Sequence, residues 1–130
     1  MNILIGYDRS NSANGALELA KKHAMALDAK VHVVTSMVGA NNNQYGDIQR
    51  AELGLEYAKA LLEEDNIKCE THLLIRGLLP GEDLLQFAAD NQINEIIVGV
   101  RRQSKVGKLL MGSTAQHVIL NAPCPVVTIK

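Results

Sequence analysis

The sequence predicts an α/β fold, a single doubly wound parallel sheet of five strands with helices on both faces. Five short apolar runs are typical of strands and lie near residues 2–7, 31–37, 68–75, 95–99 and 125–129. Patterns with helical periodicity fill the gaps between these runs. Strict alternation of strand and helix favours a parallel sheet with right-handed crossovers, because each helix returns the chain to the start of the next strand.

Each helix is marked by apolar residues that recur at helical spacing. The first pattern runs from Ala13 to Leu27, the second through Ala51, Leu55, Ala58 and Leu62, the third through Leu84, Leu85 and Ala88, and the fourth through Ala115, Val118 and Ile119. Asp8, Ser10 and Ser12 all precede the first helix, and Ser10 or Ser12 is predicted to cap it in preference to Asp8, since a side-chain oxygen can accept from the N–H groups at a helix start.

Two connections between these elements have distinct sequence patterns. Residues 76–83 predict a turn into the third helix, with a proline near its start and acids in its first turn. Residues 38–46 are polar, rich in asparagine and without periodicity. They predict a mobile loop after the second strand, either a cover for a ligand or a surface insertion.

Composition limits the class of protein. The chain has 130 residues, of which 47% are hydrophobic and 21% charged, and this is typical of one globular domain, here residues 1–130. The apolar runs are far shorter than the ~20 residues needed to cross a bilayer. The amino terminus enters a strand at Asn2 without a secretory pattern. We therefore expect a cytoplasmic protein that does not associate with membranes.

The charge and the rarer residues exclude other classes. A formal net charge of −1 and few aromatic residues argue against nucleic-acid binding. Cys69 and Cys124 have no CxxC partner, so we expect reduced, packed thiols rather than a disulfide or a zinc motif. The histidines at positions 23, 32, 72 and 117 show no short metal-binding spacing. We interpret each as structural or exposed and predict no metal site.

A basic loop punctuated by glycine joins the fourth strand to the fourth helix. Residues 99–115 follow the apolar strand and contain Arg101, Arg102, Lys105 and Lys108 without an acidic residue. Gly112 and Ser113 stand where a helix should begin, and the backbone N–H groups at a helix start favour anions. The loop is therefore a candidate phosphate site, with a solvated basic loop as the alternative.

The same loop resembles the nucleotide loop of universal stress proteins, which reads Gly, two residues, Gly, nine residues, Gly and then Ser or Thr. Gly99, Gly112 and Ser113 match three of the four anchors, whereas Arg102 stands at the middle glycine. An arginine there could crowd a ligand, or its guanidinium could pair with phosphate oxygens. Both outcomes stay open at the level of sequence.

Other segments extend this resemblance over nearly the whole chain. Residues 3–10 are similar to the family's first strand, which ends in an aspartate and a serine, and residues 121–130 look like its closing turn and last strand. The resemblance implies a strand order of 3-2-1-4-5. In such a sheet a crevice lies at the carboxyl ends of strands 1 and 4, where Asp8 and Gly99 fall.

The resemblance also implies a function, a regulatory or protective stress-response module that binds an adenine nucleotide. ATP or AMP is the implied ligand, with Mg²⁺ as a candidate companion. Asp8 would hold the ribose, Ser36 would contact adenine through its backbone, and Ser113 would receive phosphate. The implied nucleotide contacts are Asp8, Ser10, Ser36, Val98, Gly99, Arg101, Arg102, Gly112, Ser113 and Thr114.

Dimerisation and the rival functions follow from the same reasoning. Members of this family commonly dimerise through the last strand, which implies a homodimer here. The principal alternative to a nucleotide-binding module is a nucleotide-independent dimeric module in which Arg102 blocks the crevice. A slow ATPase is a third hypothesis. The glycine pattern of a P-loop is missing around Gly107 and Lys108. Because no nucleophile motif is present either, no catalytic residue is predicted.

Overall fold

The computed structural model describes residues 1–39, 44–100 and 111–130, which alternate between strands and helices. The elements are β1 (Asn2–Gly6), α1 (Asn11–Leu27), β2 (Lys30–Met37), α2 (Gln44–Glu64), β3 (Cys69–Ile75), α3 (Pro80–Asp90), β4 (Glu95–Gly99), α4 (Ser113–Asn121) and β5 (Val126–Ile129). All strand pairs are parallel, in the order β3-β2-β1-β4-β5. The predicted α/β fold and its 3-2-1-4-5 strand order are confirmed.

Alternate residues of the strands pack into two separate cores, one on each face of the sheet. Ile3 and Ile5 of β1 belong to the core shared with α1 and α2, whereas Leu4 belongs to the core shared with α3 and α4. All three side chains are fully buried. A strand that is covered on both faces needs apolar residues at consecutive positions, which explains the unbroken apolar runs in the sequence.

The connection after β2 differs from its prediction. Residues 38–46 predict a loop, but α2 begins at Gln44, so the prediction was wrong over residues 44–46. Polar contacts at spacings of three and four residues support this first turn: Arg50 pairs with Asp47, and Gln49 donates to the Tyr45 hydroxyl. Apolar periodicity cannot reveal a turn that is held in this way. Residues 40–43 lie outside the described residues.

The junction between β1 and α1 is tightly fixed. The N–H of Tyr7 donates to the Val34 carbonyl at 2.8 Å, and the Tyr7 hydroxyl donates to Asn14 Oδ1 at 2.6 Å. Arg9 adopts a positive φ of 65° at the turn, and Ser10 then caps α1 by accepting from the Ala13 N–H at 3.1 Å. These contacts hold the end of β1 and the start of α1 at the same edge of the sheet.

Two further findings concern the cysteines and the length of the helices. Cys69 and Cys124 are free and half-buried, and burial raises the pKa of both thiols. Among the described residues, no helix combines the length and the apolar character that a membrane span requires.

Candidate functional site

A cleft of about 350 Å³ opens at the carboxyl edge of the sheet, beside the ends of β1 and β4. Predicted nucleotide contacts that line it are Asp8, Ser10, Ser36, Val98, Gly99, Gly112, Ser113 and Thr114. Arg101 and Arg102 lie outside the described residues. The cleft occupies the point where the strand order reverses, which is the usual place for a ligand in an open α/β sheet.

Asp8 is an exposed carboxylate at the end of β1. Its Oδ1 accepts a hydrogen bond from the Ser10 N–H at 3.0 Å, which fixes the side chain at the mouth of the cleft. A carboxylate can accept about four hydrogen bonds, so this contact is compatible with further donors from a ligand. The arrangement suits the recognition of hydroxyl groups.

Two helices begin at the cleft. Ser12 and Ala13 of α1 and Ser113, Thr114 and Ala115 of α4 line its wall. Neither helix has an acidic residue in its first turn, and Gly112 caps α4 without a side-chain hydrogen bond. The positive ends of both helix dipoles therefore favour an anion in the cleft.

Ser10 has a structural role that limits its side chain. Its Oγ accepts from the Ala13 N–H and lies 3.3 Å from Ser12 Oγ. Ser10 is thus the cap of α1, one of the two residues predicted for that role. Ser10 is also one of the residues that line the cleft.

Gly99 lines the cleft, and the close packing of α1 against it also requires a glycine at this position. A Cβ at this position would lie 2.6 Å from Ser12 Oγ and 2.7 Å from the backbone carbon of Ser12. A side chain there would force β4 and the start of α1 apart. The sequence suggested a different reason for this glycine, the close approach of a loop to a ligand.

A buried ion pair beside the cleft was not found from the sequence. Asp83 is completely buried; it accepts from Ser36 Oγ at 2.6 Å and from Arg76 Nε at 2.7 Å. The hydroxyl proton of Ser36 is therefore engaged with Asp83, and the predicted adenine contact was assigned to the backbone of Ser36. An acid in the first turn of α3 was predicted from the sequence, but its burial depends on how α3 packs against β2.

A second cluster of polar groups lies outside the cleft. His32 Nδ1 lies 3.4 Å from His72 Nε2 and 3.4 Å from Glu70 Oε2. The sequence spacing of the histidines gave no sign of this cluster, because the register of β2 and β3 creates it. His32 is buried and both rings pack against Phe87, in keeping with the structural role predicted for these histidines, but their proximity was not predicted.

Comparison with known proteins decides the family. The sequence model of the Universal stress protein family matches residues 1–130. The chain belongs to the universal stress protein family.

Similar universal stress proteins come from bacteria and archaea. The chain is 32% identical over 137 residues to the "Universal stress protein in QAH/OAS sulfhydrylase 3'region" of Thermus aquaticus, an alignment that covers 98% of this chain and 97% of the relative. A universal stress protein from Archaeoglobus fulgidus shares 35% identity and superposes with a TM-score of 0.92, over 100% of this chain and 98% of that one.

A second A. fulgidus structure shows a universal stress protein in complex with dAMP. It shares 32% identity with this chain and has a TM-score of 0.85, over 100% of this chain and 98% of that one. The bound molecule identifies the ligand class of that relative.

Proposed function

We propose that this universal stress protein binds an adenine nucleotide, ATP or AMP, in the cleft beside β1 and β4. It would act in the cytoplasm as a regulatory or protective module of the stress response, built from the single domain of residues 1–130. The observation that carries the proposal is the meeting of a fixed carboxylate, Asp8, with two helix N-termini around one cleft.

The size and lining of the cleft fit this ligand class. A volume of about 350 Å³ falls within the usual range for small-molecule sites. Val34, Leu84 and Val98 supply apolar lining next to the polar ends of β1 and α4. A nucleotide has the same division, with a flat base at one end and phosphates at the other.

Each part of the nucleotide has a proposed partner. Asp8 would accept hydrogen bonds from the sugar hydroxyls, and backbone groups of Ser36 would meet the base. N–H groups of Ser113 and Thr114, with the Ser113 hydroxyl, would donate to phosphate. The dAMP complex of the 32% identical relative supports the ligand class.

The test is a calorimetric titration of nucleotide-stripped protein with ATP and with AMP, each with Mg²⁺ and with a chelator. We expect a saturable isotherm that Asp8→Ala weakens. The control is Glu18→Ala, which removes the same charge from an exposed position of α1 outside the cleft. A flat trace at high concentration of both nucleotides would overturn the proposal and favour the nucleotide-independent module.

Arg101 and Arg102 belong to the proposed site by their position in the motif. We propose that Arg102 binds phosphate, because a guanidinium presents two parallel donors to phosphate oxygens. Arg102→Gly then weakens ATP binding, whereas Arg102→Lys keeps the charge and loses less. Tighter binding by Arg102→Gly would instead show that the arginine crowds the cleft.

We also propose that the chain forms a homodimer through β5. This strand lies at an edge of the described sheet and pairs only with β4 there. Pro125 and Ile129 direct their carbonyl oxygens to N–H groups of Ile96 and Val100. Since backbone groups alternate in direction along a parallel strand, Val126 and Thr128 point theirs away from β4, toward a second copy.

Thr128→Pro tests the dimer without removing a hydrogen bond to β4. Proline deletes an outward N–H, so we expect a dimer by light scattering for the wild-type protein and a monomer for this variant. Thr128→Ala, which keeps the N–H, should remain dimeric. A wild-type monomer at micromolar concentration would refute the interface.

A further inference from the structure

We propose that His32, Glu70 and His72 form a binding site for a divalent transition-metal ion, with Zn²⁺ as the best fit. His32 lies on β2, whereas Glu70 and His72 lie on β3, a strand distant from β2 in sequence but adjacent to it in the sheet. The site is separate from the nucleotide cleft, because none of the three lines that cleft. Metal binding can therefore be tested without nucleotide.

Strand register brings the three side chains together. His32 pairs with Glu70, and Val34 pairs with His72. Residues at alternate positions of paired strands project from the same face of a sheet. Phe87 of α3 packs against both imidazoles, with ring centroids 5.6 Å from His32 and 4.7 Å from His72. One helix and two strands thus hold the rings in place.

The distances between the ligand atoms match a tetrahedral site. His32 Nδ1 lies 3.4 Å from His72 Nε2 and 3.4 Å from Glu70 Oε2, and the remaining separation is 3.9 Å. With metal–ligand bonds of about 2.0–2.1 Å, two ligand atoms of a tetrahedral Zn²⁺ lie ~3.4 Å apart. Two of the three separations thus equal those of a tetrahedral ion, and a small movement of the Glu70 side chain would close the third.

Solvent reaches the cluster from one side. The side chain of His32 is 6% exposed, that of His72 28%, and that of Glu70 49%. An ion can enter past Glu70, and its fourth position would face water. Two imidazoles and one carboxylate with an open position form a donor set that Zn²⁺ takes in proteins.

Coordination requires particular protonation states of the three side chains. Neutral imidazoles and a carboxylate are the forms that bind metal ions. Coordination would place the remaining ring protons on His32 Nε2 and His72 Nδ1.

Lys30 competes with a metal ion for the carboxylate of Glu70. Its Nζ lies 3.0 Å from Glu70 Oε2, so its ammonium group holds the oxygen that the metal would take. The Lys30 side chain is 37% exposed and can turn into solvent when an ion enters. Removing this positive charge should therefore tighten metal binding, a result that a purely structural ion pair does not produce.

The test is a calorimetric titration with Zn²⁺ alone, on protein that has been treated with a chelator and then separated from it. The visible absorption spectrum of the Co²⁺-loaded protein is the supporting measurement. We expect one ion per chain and a tetrahedral Co²⁺ spectrum without thiolate bands. His72→Gln and Glu70→Gln should each weaken binding at least tenfold, since even the loss of a group that only orients a ligand costs about 10- to 100-fold. Lys30→Gln should strengthen it.

The control is His117→Gln, which removes a histidine from α4 outside the cluster. It should bind Zn²⁺ as the wild-type protein does. Three results would overturn the proposal: no saturable binding, binding that His72→Gln and Glu70→Gln leave unchanged, or an equal loss in the His117→Gln control. Circular dichroism of each variant shows whether lost binding reflects lost folding.

Discussion

At the scale of single residues, side chains around the cleft make hydrogen bonds within the fold itself. Ser10 caps α1, Ser36 donates to Asp83, and Asp8 accepts from a backbone N–H. Such contacts hold the groups in fixed positions before a ligand arrives. A preorganised site loses less conformational entropy on binding, which favours affinity.

The burial of Tyr7 predicts how its phenol titrates at alkaline pH. Burial, followed by the neighbouring Tyr57, raises the pKa of Tyr7 above 10.0. Because the folded pKa exceeds the unfolded one, the contribution of this phenol to stability is complete below pH 10 and is lost as the pH rises through the folded pKa. The difference in tyrosinate absorbance between wild type and Tyr7→Phe should therefore titrate above pH 10.

Tyr45→Phe is the matched control, since it removes one exposed phenol from α2. A wild-type minus Tyr7→Phe difference that titrates at or below pH 10 would contradict the burial argument.

Arg76 and Asp83 make a prediction for stability. Arg76→Met leaves the buried carboxylate with Ser36 as its remaining side-chain donor among the residues that the structure describes. Removing one partner of a buried pair costs about 3–5 kcal/mol, and we expect ~3 kcal/mol because the Arg76 side chain is 35% exposed. Urea unfolding measures the loss. The double variant Arg76→Met, Asp83→Leu should recover most of it, and a persistent loss would assign the effect to packing.

At the scale of elements, β4 packs so closely against the start of α1 that no side chain fits at Gly99. Gly99→Ala places a methyl group against the backbone of Ser12. Such overpacking costs about 1–3 kcal/mol of unfolding free energy, which thermal or urea unfolding can measure.

Gly15→Ala is the matched control for Gly99→Ala. Its Cβ would meet Ile129 at an ordinary 3.7 Å, and it lies inside α1, where alanine is favoured over glycine by about 1 kcal/mol. We expect this variant to be slightly more stable than wild type. Equal effects of the two substitutions would show that contact with Ser12 is not decisive.

The elements also show what sequence can predict. The strands were found within about one residue of their ends, because runs buried on both faces are unmistakably apolar. The first turn of α2 was missed, since polar pairs rather than apolar residues hold it. The meeting of His32 with His72 was missed because it depends on register, although Glu70 and His72 at alternate positions of one strand were a usable signal.

At the scale of the whole molecule, a ligand that binds only the folded chain raises its stability. At a nucleotide concentration 100-fold above Kd the gain is about 2.7 kcal/mol. We therefore expect AMP or ATP to raise the thermal midpoint in proportion to the logarithm of its concentration. Glu18→Ala should respond like wild type and Asp8→Ala much less. An equal response in both variants would place the ligand elsewhere.

The strand order also has a consequence for synthesis of the chain. β1, β2 and β3 are neighbours and leave the ribosome first, whereas β4, which completes the other side of β1, begins only at Glu95. Until then the central strand has an open edge of apolar residues, a template for pairing with other chains. The nascent protein therefore passes through a stage that is prone to aggregation. This stage ends when β4 pairs with β1 and covers the open edge.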